Sequence, residues 1–261
     1  DGGANTAIGH QALFANTTAS NLTAVGKDAL TGNTTGAANT AVGAFALEAN
    51  NTADNNTAIG LNSLRANTTG AGNTAVGRLA LRTNTTASNN TAVGLNALTA
   101  NTTGTQNVAV GSQSMDANTT GNYNSALGVN ALGANTTGSS NVALGIQSLD
   151  ANTTGSFNVA VGQDALGSNT TAEHNTALGH FALNANTTGA ENVAVGAAAL
   201  DANTTGTQNV AIGRNAMGQS TTKGSNVAIG YQSMSTASQG DFGTAVGHNS
   251  LELNTTGDLN T

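Results

Sequence analysis

Apolar and polar residues recur along this chain in a pattern that never drifts. The tripeptide Ala-aliphatic-Gly ends at Gly9, Gly26, Gly43, Gly60, Gly77 and Gly94, then continues at the same seventeen-residue step to Gly247. That makes fifteen units without an insertion or deletion. The consensus is Asn-[Thr/Val]-Ala-[Val/Ile/Leu]-Gly-x-x-[Ala/Ser]-[Leu/Met]-x-Ala-Asn-Thr-Thr-Gly-x-x, numbered from its first Asn, so that 39–55 is one complete unit. Position 3 is Ala in every unit, Ala41, Ala58, Ala75 and Ala92 among them, and position 5 is always Gly. Position 4 is Val, Ile or Leu, and position 8 is Ala or Ser. Position 9 is Leu twelve times, as at Leu47, Leu64, Leu81 and Leu98, and Met three times, at Met115, Met217 and Met234. Positions 6, 7, 10, 16 and 17 vary freely. A strict period without indels means that each unit stacks on the next in fixed register, as in a solenoid.

Seventeen residues are too few for a helix-turn-helix repeat of about 34, and the unit has no helical periodicity. Two extended pieces fit: positions 1–5, as in 73–77, and positions 8–11, as in 80–83. The position-5 glycine and the two residues after it make one corner. Asn-Thr-Thr-Gly makes the other, with the glycine at position 15 suited to positive φ. The prediction is an all-β parallel β-solenoid, a β-roll of fifteen coils with two short strands each. It fills 1–261 as one uninterrupted domain with no cap visible. At about 4.8 Å per coil the rod would be roughly 70 Å long.

Two sizeable apolar side chains per coil, at positions 4 and 9, are few against the backbone entropy of seventeen ordered residues. Strand alternation sends positions 3 and 4, and positions 8 and 9, to opposite faces. A solvated face would accept Lys, Glu or Thr at positions 3 and 8, and no unit has one. The expectation is therefore intrachain packing on one side and partner chains on the other. The alternative is that Ala fills a tight interior while Val and Leu face a second layer.

Stacking turns each position into a row. Position 12 is Asn in thirteen units, and position 14 is Thr in fourteen, Gln239 being the exception. Stacked Asn amides bond along the axis, so Asn67, Asn84, Asn101 and Asn118 read as part of a self-satisfied polar ladder at one edge. Each Asn-x-Thr is also formally a glycosylation acceptor, including Asn16, Asn33, Asn67, Asn84, Asn101, Asn118, Asn135 and Asn152, although coils ~4.8 Å apart leave no room for a glycan on each. A regular Thr array on a solenoid could also order water, an ice-binding reading.

Composition narrows the function. With 3% aromatic and 7% charged residues, no Pro, Cys or Trp, and a net charge of −7, the chain has too few large apolar residues for an ordinary core. It has no thiol or disulfide chemistry and too few basic residues for a nucleic-acid footprint. No apolar stretch approaches the ~20 residues of a membrane-spanning helix. His10, His174, His180 and His248 fall in separate units or lack partners for a metal site. Asp116, Asp150 and Asp201 share position 10 but lie coils apart, so they form no carboxylate pair. No phosphate-binding glycine motif occurs. The sequence therefore predicts no enzyme, no cofactor and no metal. The one irregular stretch, 218–243, carries Ser220, Lys223, Ala237, Gln239 and Gly243 in place of consensus residues, with Tyr231 and Phe242 beside them. It reads as drift, or else as a contact or bend site.

Units such as 73–77 and 101–104 carry a resemblance. The repeat resembles the N-T-A-V-G…A-L…N-T-T-G repeats of bacteriophage-type tail fibres and bacterial surface adhesins. It is also similar to the heads of trimeric autotransporter adhesins of the YadA-like type, whose coils are typically shorter and lack the Asn-Thr-Thr loop. The resemblance implies a homotrimer of parallel β-rolls outside the cell, on a cell or virion surface, acting as a shaft or adhesive head toward a cell-surface receptor or glycan. The expected function is a non-enzymatic extracellular structural or adhesive fibre segment. Its partner is itself, without nucleic acid or membrane insertion. The alternative is an end-to-end polymer, a self-assembling filament subunit that stacks through bare strand edges, with an ice-binding solenoid third.

Overall fold

A computed structural model describes residues 2–236 and 240–253. Its regular elements are three-residue β-strands, with no helix among the described residues. Ala237 and Gln239, named above, and Asn254, the last asparagine of the position-12 row, lie outside the described residues. The chain forms two compact units, Asp1–Val129 and Asn130–Thr261, and each is a parallel β-solenoid.

The first unit holds β1 (Thr6–Ile8), β2 (Thr23–Val25), β3 (Thr40–Val42), β4 (Thr57–Ile59), β5 (Thr74–Val76), β6 (Thr91–Val93), β7 (Val108–Val110) and β8 (Ser125–Leu127). The second holds β9 (Val142–Leu144), β10 (Val159–Val161), β11 (Thr176–Leu178), β12 (Val193–Val195), β13 (Val210–Ile212), β14 (Val227–Ile229) and β15 (Thr244–Val246). Within a unit each strand pairs in parallel with the next and in identical register, as where Thr74, Ala75 and Val76 face Thr91, Ala92 and Val93. The repeat makes this register unavoidable, because any slip would carry the central Ala off the inner face.

The coil 73–89 shows where the backbone bonds go. Thr74 donates to Asn90 of the following coil at 2.8 Å, and Gly77 donates back to Ile59 of the preceding one at 2.7 Å. Leu79 reaches back to Leu61 (3.0 Å), Leu81 forward to Ala97 (3.0 Å) and Thr83 forward to Thr99 (3.2 Å). Bonds thus leave the coil along the axis on every side and satisfy most of its buried backbone groups.

The second expected strand is absent. Positions 8–11 are turn in every described coil, because the residues at positions 7 and 9 take left-handed backbone conformations: Leu79 has φ 62° and Leu81 φ 50°. Ala80 and Asn84 donate to residues three back, Gly77 and Leu81, at 3.3 and 3.2 Å. The alternation assumed for an extended strand therefore fails here, and positions 8 and 9 both face inward.

The interior is correspondingly narrow. It contains the position-3 alanines, the small residues at position 8 and the Leu/Met row at position 9, all essentially inaccessible from Ala24 and Leu30 through to Ala228 and Met234. The aliphatic residue at position 4 lies outside the coil. Ala fills the tight interior, as one alternative held, but Leu shares it and only the position-4 row faces outward. Position 5 admits only glycine for two reasons. Gly60 has φ +132°, and a Cβ on it would lie 2.6 Å from the carbonyl oxygen of Gly77 in the next coil. The expectation for position 15 is corrected: Gly36, Gly70 and Gly104 are not among the positive-φ residues. They approach the Asn amides instead, a Cβ on Gly36 meeting Asn33 Oδ1 at 2.8 Å. Four coils place a buried Ala in this row, at Ala19, Ala53, Ala87 and Ala172.

Candidate functional site

Two rows of asparagine run inside each unit. At position 12, Asn67, Asn84, Asn101 and Asn118 each donate through Nδ2 to the Oδ1 of the asparagine one coil earlier, at 2.8–3.0 Å. The same nitrogen donates to the backbone oxygen three residues on, as from Asn101 to Gly104 at 2.9 Å. In the second unit Asn152, Asn169, Asn186 and Asn203 repeat the arrangement. The expected ladder is there, but it lies in the interior rather than along an edge: these side chains are wholly buried.

The second row, at position 1, went unrecognised in the sequence. Asn39 Oδ1 accepts the backbone N–H of Asn56 (2.9 Å), and Asn39 Nδ2 donates to Ala53 O (2.7 Å). That carbonyl also accepts from Asn50 at 3.0 Å, so the two rows converge on the position-15 oxygen. Buried amides carry a heavy desolvation penalty when unpaired, and this double ladder satisfies them by copying one pattern coil after coil.

Burial corrects the glycosylation reading. Asn33, Asn67, Asn84, Asn101, Asn118, Asn135 and Asn152 are fully buried, and the nitrogen that would carry a glycan is a ladder donor, as at Asn33 and Asn135. Asn16 is half-buried and donates to Ala19 O at 3.2 Å. The threonines divide. Position-13 hydroxyls donate to the next coil's position-13 carbonyl, as from Thr68 to Thr85 at 3.0 Å and Thr153 to Thr170 at 3.0 Å. Position-14 threonines such as Thr69 and Thr103 are exposed.

Outside the coils, positions 2 and 4 form an uncovered face. Within the second unit Val142 and Leu144 are each 41% exposed, Leu178 46%, and Ile212 and Ile229 38%. A Val-Ala-Val strand is apolar on both faces, the character of strands covered on both sides, yet here only the alanine side is covered. At position 6, Leu61 and Leu95 in the first unit and Ile146 in the second are exposed as well.

The charged groups are local. Lys27 Nζ and Arg65 Cζ each lie 5.1 Å from the Phe45 ring centre, from the coils before and after it, and Arg65 pairs with Glu48. Asp28 lies 3.6 Å from Lys27 and 3.7 Å from His10. Elsewhere His174 stacks on Phe157 at 5.0 Å, His180 packs edge-on to Phe181, and His248 stacks on Tyr231 at 5.2 Å. Among the described residues no three His, Asp or Glu come together in a metal-binding group. Burial pushes the carboxyls of Asp116 and Asp201 above the usual range, partly offset by backbone N–H donors beside each.

Position 16 was read as free and is not. Its side chain often accepts the backbone N–H of the preceding coil's position 16, as Asp54 does from Ala37, Ser88 from Ala71 (3.0 Å) and Asn122 from Thr105 (2.8 Å). Its Asp, Asn and Ser content was the available signal. No protein-family model and no curated protein matches this chain. Its class, a β-solenoid repeat protein, rests on its own register.

Proposed function

We propose that this chain is a non-enzymatic segment of an extracellular fibre, a shaft or adhesive head in which copies pack through their position-2 and position-4 columns. The observation that carries the reading is the uncovered aliphatic face: position 4 is Val, Ile or Leu in all fifteen units although it lies outside the coil. Contiguous exposed apolar surface of this kind marks association sites in soluble proteins. The resemblance to tail-fibre and adhesin repeats supports a homotrimer and a place on a cell or virion surface. The interior supports a structural role, since its polar groups bond to the same groups of neighbouring coils.

Light scattering tests this. A solution mass near three chains is expected, falling to one chain in an Ile212→Lys/Ile229→Lys variant whose circular dichroism is unchanged. A single-chain mass for the unaltered protein would refute the packing. Fibres that lengthen with concentration would favour the end-to-end filament.

A further inference from the structure

The irregular stretch of the sequence coincides with a cleft in the second unit. The cleft is about 260 Å³ and is lined by Asp201, Asn215, Gln219, Gln232, Ser235 and Glu252. Its floor is Gly218, which stands at position 10, where other coils carry Thr31, Glu48, Arg65 or Thr99. Glycine at this position does not open a cleft by itself. At Gly133 the next coil's Asp150 lies over the gap, 2.8 Å from where a Cβ would be, and at Gly167 the Asn184 amide does the same at 2.9 Å. Asn184 is held there by donating to Asp164 O at 2.9 Å. At Gly218 the following position-10 residue is Ser235, too short to cover it, and the nearest side-chain atom is Asp201 Oδ1 of the preceding coil at 3.3 Å. Two departures from the repeat, a missing side chain followed by a short one, leave the space open.

We propose that this cleft binds a short neutral oligosaccharide. Its walls offer carboxylates, primary amides and hydroxyls, the mixture of donors and acceptors that pairs with sugar hydroxyls, and among the described residues no Lys or Arg lines it to hold an anion. Asp201 and Glu252 stand three coils apart, about 14 Å at the spacing of paired strands. One small cation cannot bridge them, but a chain of two or three sugar rings can. Asp201 is half-buried, its carboxylate partly withdrawn from water and beside backbone N–H donors, and its remaining acceptor capacity faces ligand hydroxyls.

The inference deepens the adhesive reading and rests on it for biological purpose, though not for its test. Saturation-transfer NMR on the intact protein would use chitotriose and maltotriose as probes, with tetralysine as the charged comparison. Transfer from at least one trisaccharide is expected, with affinity of about millimolar strength, as a shallow polar cleft supports. Gly218→Thr should weaken it at least tenfold while leaving the fold intact. Thr31 and Thr99 already occupy this row, donating to Gln11 O and Leu79 O at 3.0 Å. The equivalent acceptor for residue 218, Ala198 O, is 3.8 Å from its Cβ position. Silence from both trisaccharides, equal transfer in Gly218→Thr, or a response to tetralysine alone would each overturn the proposal. A three-chain mass with a silent cleft overturns this inference alone, and a one-chain mass with a binding cleft overturns only the packing of the fibre.

Discussion

Replacing Leu98 by Ile should cost far more than so conservative an exchange normally does. Leu98 is completely buried, and its backbone sits at φ +52°. In an ordinary core a Leu/Ile exchange with repacking costs less than about 1.5 kcal/mol. A β-branched side chain at positive φ adds a clash between its second γ carbon and its own backbone, beyond the roughly 1–2 kcal/mol that left-handed backbone already costs an L-residue. The expected loss for Leu98→Ile is therefore about 2–4 kcal/mol. Leu98→Met should cost under about 1 kcal/mol, because Met115 fills the same row at φ 51° without exposure. The assay is amide exchange at Leu98, whose N–H donates to Ser114 at 3.0 Å, read with urea midpoints at fixed protein concentration, since association shifts apparent stability. If Ile and Met variants exchange alike, backbone conformation does not govern this position and the argument fails.

Three further outcomes are expected. Gly60→Ala should destabilise by more than about 3 kcal/mol, combining positive φ with a blocked approach to Gly77, and protease should then cut near residue 60 while distant coils stay protected. Ser220→Asn should raise the urea midpoint by an amount equivalent to about 1 kcal/mol, because Ser220 Oγ and Asn203 Oδ1 are buried without hydrogen-bond partners where the ladder's next amide would stand; no gain would mean that the gap is satisfied otherwise. Asp116 keeps its proton to higher pH when folded than when unfolded. The unfolded chain thus binds fewer protons across that interval, and stability falls as pH rises from the ordinary carboxylate value through the raised one, then levels off. Asp116→Asn should reduce the slope of that part of the melting-temperature profile, Asp201 supplying the remainder, and an unchanged slope would exclude the assignment.

The solenoid was legible because a strict period forces identical neighbours, while the position-3 alanines were assigned to the interior only as the alternative to partner contact and the position-5 glycines were read as a corner rather than as a close approach between coils. The second strand was misread because positions 8–11 contain residues that tolerate extended backbone, while the decisive property is the sign of φ at positions 7 and 9. That property leaves a trace by omission. In a chain rich in Thr and Val, positions 7, 9 and 17 never contain Val, Ile or Thr, the residues that positive φ excludes. Positions 7 and 17 looked unconstrained because polarity and size do vary there. The inward asparagines were hidden for another reason. Asn is a surface and turn residue on average, and only stacking makes it a core residue. The cleft was invisible because it depends on the pairing of Gly218 with Ser235, seventeen residues apart and unremarkable singly.

The direction of the bonds between coils also has a mechanical consequence. Within either unit, the backbone and amide bonds that attach one coil to the next run along the axis, while the remaining turn bonds close within a coil. A pull that separates the two ends of a unit loads these contacts one layer at a time rather than all together. Such a unit should lengthen in steps, each releasing the slack of one repeat, about 55 Å at full extension for seventeen residues. Each detached layer leaves behind an edge identical to the one before it, so the steps should be nearly equal in force. In the proposed fibre, such a unit would yield by regular increments and rewind by the same path, so that the segment would absorb load.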